Sequence, residues 1–317
     1  MTIASMNIRA AALRSLDCLI SPAVYVCGEL LKNVRRVGIE SMPLSKRMLL
    51  ASGVFPIRDH YYEPLFNPRH LTSDLSCPRN LPGVNWNLDQ QICLLSQLAE
   101  YSGDFPYDTE LINNPNFGPG DAEVWFAMIR RLKPKQIVEV GSGYSTRIAR
   151  AALSLNESEG HSAVHICIEP YEMPWLEQSG ASIIRQRVQD VGRELFSRLS
   201  AGDILFIDSS HVIRPQGDVV IEVLEILPLL APGVVVHFHD IFSPRDYPRR
   251  WVVDQVRLWN EQYLLEAFLS HNSEWKVLAA LNYLRHACYE NLAGTAKMLT
   301  PDREPGSFYI QRNGHLN

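Results

Sequence analysis

Hydrophobic residues from position 121 onward occur in short runs separated by longer amphipathic stretches. The run Ile137, Val138 and Val140 predicts a buried strand, and 121–132 before it has apolar residues at helical spacing. Further apolar runs predict strands at 163–168, 182–185, 204–207, 234–238, 275–279 and 307–311. Between them, helices are predicted at 174–179, 191–199, 216–230 and 251–270. This alternation is typical of an α/β fold with a mostly parallel sheet and helices on both faces.

A glycine turn follows the first of these strands, in the sequence Gly-Ser-Gly-Tyr-Ser-Thr at 141–146. Gly141 and Gly143 allow a sharp turn and let the backbone approach a ligand without a Cβ atom in the way. A helix that starts here presents backbone N–H groups, which commonly bind nucleotides and other polar cofactors. The turn is therefore a candidate cofactor site.

Two acids lie close to this turn, Glu139 within the first strand and Glu169 directly after the second. A dinucleotide fingerprint requires a third glycine, and Thr146 stands in its place. The stretch EVGSGYST followed by CIEP resembles the first two motifs of class I S-adenosylmethionine-dependent methyltransferases. The resemblance implies a Rossmann-like methyltransferase fold with seven strands, the last inserted antiparallel between strands five and six.

The same resemblance assigns the cofactor-binding residues. It implies that Glu139 lies near the methionine end of S-adenosylmethionine and that Glu169 binds the ribose hydroxyls. Ser145 and Thr146 belong to the cofactor-binding turn with its two glycines. Asp190, after the third strand, either accepts a hydrogen bond from the adenine amine or caps the helix predicted from 191.

Polar side chains also follow the fourth and fifth strands. Asp208 and His211 come after one strand, and His239 and Asp240 after the other. Parallel strands end at one edge of a sheet, so these groups are expected near the glycine turn, where carboxylates favour Mg²⁺ or Mn²⁺. Asp208 alone is also compatible with a capping role. His237, inside the strand, is expected to be structural.

This pattern resembles the metal-dependent O-methyltransferases, including a bacterial group with sugar O-methylating members, over 121–270. The resemblance implies that Asp208 and Asp240 are metal ligands, that His239 fills the remaining ligand position, and that His211 is the catalytic base. The related enzymes more often have an acid or amide where His239 stands. The predicted reaction is O-methylation of a hydroxyl on a small molecule or sugar.

Three other classes stay open on the residues alone. A nicotinamide-dependent oxidoreductase is disfavoured by Thr146. A protein that binds S-adenosylmethionine without transferring its methyl group would keep Glu139 and Glu169. A metal-dependent hydroxylase or hydrolase would use the acids and histidines after strands four and five without that cofactor.

Composition limits the partners. The net charge of −5 and pI near 6.1 give no general electrostatic attraction to nucleic acid, which would call for a basic surface, so no nucleic-acid partner is expected. Six cysteines without a C-x-x-C pair fit neither a disulfide framework nor a zinc site, and they predict a cytoplasmic protein with reduced thiols. The chain is long enough for a methyltransferase domain at 121–317 preceded by an extension or cap at 1–120.

The N-terminal part begins with an apolar stretch at 10–31, interrupted by Arg14, Asp17 and Pro22. Its uninterrupted run is shorter than a membrane span of roughly 18 to 20 residues, so an amphipathic helix is predicted instead. Such a helix could pack on the domain, on a second subunit in a homo-oligomer, or on a membrane surface. Polar and aromatic residues at 58–62 either reach over the site as part of the cap or form a solvated loop with aromatic anchors.

Overall fold

The computed structural model describes residues 3–54, 57, 64, 66–107, 109–112, 114, 116–171 and 173–314. The predicted cap residues 58–62 lie outside this set. The chain divides into two compact units, Met1–Thr72 and Ser73–Asn317. Residues 73–120 thus belong to the larger unit, and the predicted division at 120/121 into cap and methyltransferase domain stays a prediction.

The smaller unit is helical. Helix α1 spans Ile3–Val37, a 3₁₀ turn follows at Ile39–Ser41, and helix α2 spans Pro43–Ser52. Helix α2 begins with a proline and ends at Gly53 with a φ of 73°, the usual signals for the start and the end of a helix. Among the described residues, no helix combines the length and the apolar character needed to cross a membrane.

The larger unit is built on a seven-stranded sheet in the order β3-β2-β1-β4-β5-β7-β6. The strands are β1 Gln136–Val140, β2 Val164–Ile168, β3 Ser182–Ile184, β4 Ile204–Ile207, β5 Val235–Phe238, β6 Trp275–Ala280 and β7 Phe308–Arg312. Strand β7 is antiparallel to both β5 and β6, and the other described pairings are parallel. The predicted seven-stranded methyltransferase fold, with its last strand inserted between strands five and six, is confirmed.

Helices cover both faces of the sheet. They are α3 Leu88–Leu98, α4 Thr109–Ile112, α5 Asp121–Leu132, α6 Tyr144–Ser158, α7 Glu194–Ser197, α8 Asp218–Ile221, α9 Glu261–Leu269, α10 Leu281–Ala287 and α11 Tyr289–Thr295. Helix α8 continues through a π-helical turn at Glu222–Ile226. Because side chains alternate across a strand, Ile137 and Phe206 pack in one core, and Val138 and Leu205 pack in the other.

The prediction of a long helix at 251–270 is wrong. A π-helical turn at Arg250–Asp254 is followed by six non-helical residues before α9 begins. In this gap Asn260 bonds to the loop after β4: its backbone N–H donates to the His211 carbonyl, and its side chain accepts from the Ile213 N–H. Tertiary hydrogen bonds thus replace the helical ones. The helix predicted at 191–199 is likewise reduced to the single turn of α7.

Candidate active site

The glycine turn lies between β1 and α6 and touches the end of β4. Gly141 has a φ of 80°, and a Cβ atom there would lie 2.2 Å from the backbone oxygen of Asp208. Gly143 has open space where its Cβ would be, and its N–H donates to Thr146 Oγ1 at 3.1 Å. Gly141 is therefore required for the packing of β1 against β4, whereas Gly143 leaves room for a ligand.

Glu139 is fully buried and points into the fold. Its Oε1 accepts from Ser145 Oγ at 2.5 Å, and its Oε2 lies 2.9 Å from His165 Nε2. Ser145 also lines a cavity, whereas Glu139 and Thr146 are outside the cavity wall. Glu139 thus positions the first turn of α6.

Glu169 lies at the end of β2 on the wall of a cavity of about 260 Å³. Its Oε2 accepts from the Ser142 N–H at 3.2 Å, and its Oε1 accepts from the Tyr171 N–H at 2.9 Å. Val188 and Gln189 line the same cavity. Glu169 and the glycine turn therefore line the same cavity.

Asp190 is not part of that wall. Its carboxylate is paired with Arg187 on the surface, with Oδ2 2.8 Å from Nε. It ends a 3₁₀ turn at Val188–Asp190, and the helix it was predicted to cap begins later, at Glu194.

A second cavity, of about 400 Å³, adjoins the glycine turn on its other side. Gly143 and Ser145 line it together with Asp208, His239 and Asp240. Asp208 also lines the cavity of Glu169. One carboxylate thus borders both spaces, as a group between a cofactor and an acceptor would.

The polar groups after β4 and β5 converge. His211 Nε2 lies 3.3 Å from Asp208 Oδ1 and 3.7 Å from Asp240 Oδ2. His239 Nδ1 lies 3.6 Å from Asp208 Oδ2 and 3.5 Å from Asp240 Oδ1. The two acids therefore lie between the two imidazoles, and Asp208 has no capping role in this arrangement.

His211 is fixed from behind by Glu261, at the start of α9. The Nδ1 atom is 2.8 Å from Glu261 Oε2, and both side chains are buried. The ring of Trp259 packs on the imidazole at a centroid distance of 4.2 Å. Like Asp240, His211 has a positive φ near 60°, an uncommon conformation for residues other than glycine. The second nitrogen, Nε2, is thereby directed at the acids.

His239 is fixed less tightly. Its Nε2 lies 3.9 Å from Asp121 Oδ2, and Phe117 packs on its ring at 4.8 Å. Its Nδ1 is buried and has no hydrogen-bond partner among the described residues. This nitrogen faces the two acids, so a ligand placed between the three groups would satisfy it.

The charges of the cluster depend on one another. Burial alone would lower the pKa of His239, but the charges of Asp240 and Asp208 outweigh it and raise that pKa well above its usual range. Burial also opposes the charged form of His211, whose pKa is nevertheless raised by Asp208 and Glu261. Burial raises the pKa of Asp240 to about 6. The acids are thus balanced by imidazolium charge, which a cation could replace.

The donor set fits a divalent ion. Asp208, His211 and Asp240 each offer a ligand atom, and these atoms lie within 4.8 Å of one another. The buried Nδ1 of His239 offers a further donor on the other side of the acids. Carboxylate and imidazole ligands together suit Mn²⁺ as well as Mg²⁺.

His237 has the structural role expected for it. Its ring is buried and stacks on Tyr309 at 4.0 Å, and neither ring nitrogen has a hydrogen-bond partner among the described residues. Burial lowers the pKa of His237 well below its usual range, so the ring is neutral. It belongs to the aromatic core and not to the site.

Several residues of the site were absent from the prediction. Glu261 is 50 positions away from His211, and no motif connects them. Asp121 was identified only as the start of a helix. Arg250, Trp251, Gln255, Arg257 and Trp259 line the larger of the two site cavities. The wrongly predicted helix at 251–270 concealed them, because helical spacing does not bring them to one wall.

The chain matches other proteins over this region. Residues 138–241 match a family described as a methyltransferase domain. An uncharacterised protein of Archaeoglobus fulgidus is 29% identical over 167 residues, which cover 46% of this chain and 74% of that protein.

Two solved structures are similar as well. An O-methyltransferase of Bacillus cereus in complex with SAH is 12% identical, with a TM-score of 0.40 over 71% of this chain and 91% of that chain. The O-methyltransferase TomG of Streptomyces achromogenes in complex with SAM is 15% identical, with a TM-score of 0.39 over 69% and 89%.

The family match spans the glycine turn, Glu169 and the ends of β4 and β5. The strand order with an antiparallel β7 is the one that the resemblance to this class implies. Residues 138–241 are therefore similar to a methyltransferase domain, and the seven-stranded sheet has the fold predicted from the sequence motifs.

Proposed function

We propose that this protein transfers the methyl group of S-adenosylmethionine to a hydroxyl oxygen of a small molecule, with a sugar as the first candidate. The observation that carries the proposal is the imidazole of His211, held by Glu261 at 2.8 Å and directed at Asp208 and Asp240 beside the glycine turn. A hydroxyl attacks a sulfonium methyl only if its proton leaves, and a fixed imidazole is suited to accept it.

The cofactor is assigned to the side of the turn that Glu169 occupies. Its carboxylate, oriented by two backbone N–H groups, would accept hydrogen bonds from the ribose diol. Gly141, Gly143 and Ser145 would surround the methionine part, with Glu139 behind them. Asp190 is proposed for the adenine amine only if its carboxylate leaves Arg187.

The acceptor is assigned to the cavity of about 400 Å³. There Asp208, Asp240 and His239 would hold a divalent ion, Mg²⁺ or Mn²⁺. A bound ion of this kind lowers the pKa of a hydroxyl that it contacts. His211 would take the proton on Nε2 while Glu261 stabilises the resulting imidazolium through Nδ1. The protein's further task is to align oxygen, methyl carbon and sulfur.

The test is release of S-adenosylhomocysteine with a panel of vicinal diols, including sugars and catechols. The protein is first treated with EDTA and then titrated with Mg²⁺ or Mn²⁺. Turnover that requires the added ion supports the proposal. Full turnover in EDTA would refute the metal, and no turnover with any hydroxyl would refute O-methylation.

We also propose that α1 associates with copies of itself. Apolar side chains recur along it at alternating spacings of three and four, namely Leu13, Leu16, Ile20, Ala23, Cys27, Leu30, Val34 and Val37. This heptad spacing is typical of helices that pack on one another. Seven of these eight residues are exposed in the single chain.

Light scattering would test this association. Ile20→Lys should lower the measured mass to that of a monomer, whereas Ser21→Lys, on the polar side of α1, should not. A wild-type monomer at micromolar concentration would refute the proposal.

A further inference from the structure

The cavity lined by Asp208 and Asp240 also has two arginines in its wall, Arg250 and Arg257. Resting on the proposed function of this cavity, we infer that the methyl acceptor is an anion. It would bind through a phosphate or carboxylate to these arginines while its hydroxyl lies at Asp208 and Asp240. The inference names the substrate class of the site, which the resemblance and the family match leave open.

The guanidinium of Arg257 is held in place by two aromatic rings. Its Cζ lies 4.9 Å from the ring centroid of Trp251 and 4.7 Å from that of Trp259. These are cation–π contacts, which do not use the planar fork of guanidinium N–H groups for an ion pair. Such a planar fork matches the two oxygens of a carboxylate or phosphate.

Neither arginine has an anionic partner among the described residues. Arg130 and Arg187, by contrast, are paired with Asp104 and Asp190. Arg257 is half-buried and Arg250 is exposed, and both face the cavity. A cation that is partly desolvated without a counter-charge favours an anionic ligand.

The backbone is bent so that Arg257 reaches this wall. The π-helical turn ends at Asp254, and Val256 adopts a φ of 52°, which is rare for a β-branched residue. The Arg257 N–H then donates to the Trp251 carbonyl at 2.7 Å. This bend folds the arginine back over Trp251, whereas a continued helix would carry it away.

The same wall is joined to the proposed base. Trp259 packs on Arg257 with one part of its surface and on His211 at a centroid distance of 4.2 Å with another. The anion site and the base are therefore separated by a single indole ring. The cavity of about 400 Å³ has both Arg257 and the acids in its wall, so an acceptor of sugar size could present an anionic group to Arg257 and a hydroxyl to the acids.

The experiment compares three probes that share the glucose ring and differ in the group at carbon 6: glucose, glucose 6-phosphate and glucuronate. Their binding is measured by calorimetry on the full chain with S-adenosylhomocysteine and Mn²⁺ present, so no turnover is needed. We expect at least one anionic probe to bind about 10- to 100-fold more tightly than glucose, the value of one charge-assisted contact. The stronger of the two anions identifies phosphate or carboxylate as the preferred group.

Arg257→Gln removes the charge and should reduce the affinity for the anionic probe to that for glucose. Arg249→Gln, at an exposed neighbour outside the cavity wall, is the matched control and should retain the preference. If Arg257→Gln does not fold, the wild-type preference itself is tested by salt, since it should shrink between 0.05 and 0.5 M NaCl, roughly as the Debye length falls.

Equal affinity for all three probes, or a preference that survives Arg257→Gln, would overturn the inference. Its failure is distinct from failure of the proposed function. Methylation of neutral hydroxyls without dependence on Arg257 would refute the anion site alone. Tight anion binding through Arg257 without any methyl transfer would uphold the anion site and refute O-methylation.

Discussion

Replacement of Glu169 is the sharpest test of how the cofactor binds. The side chain is buried to all but 6% and lines the cavity beside the glycine turn. Two backbone N–H groups, of Ser142 and Tyr171, already orient its oxygens. Each oxygen has a further lone pair for the ribose diol, so Glu169→Ala should remove two charge-assisted hydrogen bonds to the cofactor.

The expected loss follows from those two bonds. At about 1.5 to 3 kcal/mol each, they sum to about 3 to 6 kcal/mol, or roughly 10² to 10⁴ in the dissociation constant. Glu169→Gln keeps one acceptor oxygen and the shape of the side chain, and should lose about half of this free energy. The alanine variant also leaves the Ser142 and Tyr171 N–H groups unpaired, at a cost of about 1 to 3 kcal/mol each in unfolding free energy when buried.

Calorimetric titration with S-adenosylmethionine, paired with a thermal melt of each variant, separates the two effects. Glu177→Gln is the matched control, because that carboxylate is exposed and pairs with Arg185 outside the cavity. A wild-type dissociation constant in folded Glu169→Ala would refute the assignment of the ribose. An equal loss in Glu177→Gln would show that the effect is not local.

Three further predictions concern the other side of the turn. Gly141→Ala should lower the melting temperature by several degrees, because its Cβ would meet the Asp208 backbone oxygen at 2.2 Å. Gly143→Ala, at a position with open space, should keep the melting temperature and weaken cofactor binding in a titration. His211→Ala should reduce the methyl-transfer rate by about 10² to 10⁴ and leave S-adenosylmethionine affinity unchanged. Asp240→Asn should weaken Mn²⁺ binding measured by electron paramagnetic resonance; unchanged affinity would place the ion elsewhere.

The sheet could be predicted from the sequence because its signal is local. Strands β1, β4 and β5 are buried on both faces, so most of their residues are apolar, and β4 and β5 are each followed directly by a polar residue. The meeting of Asp208 with Asp240 was expected because parallel strands end at the same edge of a sheet, whereas the position of the last strand was implied by the resemblance to the methyltransferases. Residues at strand ends were accordingly the ones that sequence reasoning could place.

Residues positioned by loops could not be predicted. The segment 255–260 has the composition of a helix, but Asn260 bonds to the loop after β4, and Val256 adopts a positive φ. These conformations depend on contacts with residues that are distant in the sequence, and Glu261 is brought to His211 by the same contacts. Asp190 was misplaced for a different reason. Its carboxylate, which was expected at the adenine, is instead paired with the nearby Arg187.

The two histidines next to the acids are equally close to them, so distance alone does not separate ligand from base. The two histidines differ in the hydrogen-bond partners of their ring nitrogens. His211 has a strong partner at Nδ1 in Glu261 and approaches Asp208 with Nε2, so both of its nitrogens are engaged. His239 has a buried Nδ1 without a hydrogen bond, and its Nε2 is 3.9 Å from Asp121.

An orphaned buried nitrogen is costly unless a ligand satisfies it. This asymmetry favours His239 as the ligand. A cation at Asp208 and Asp240 would offset part of the negative charge that raises the pKa of His211, and Nε2 of a neutral His211 could then accept a proton. An ion held by one imidazole and two carboxylates would also keep open positions for a chelating acceptor, since divalent ions of this type take about six ligands. Mn²⁺ affinity should therefore fall in His239→Ala and persist in His211→Ala, and the reverse result would exchange the two roles.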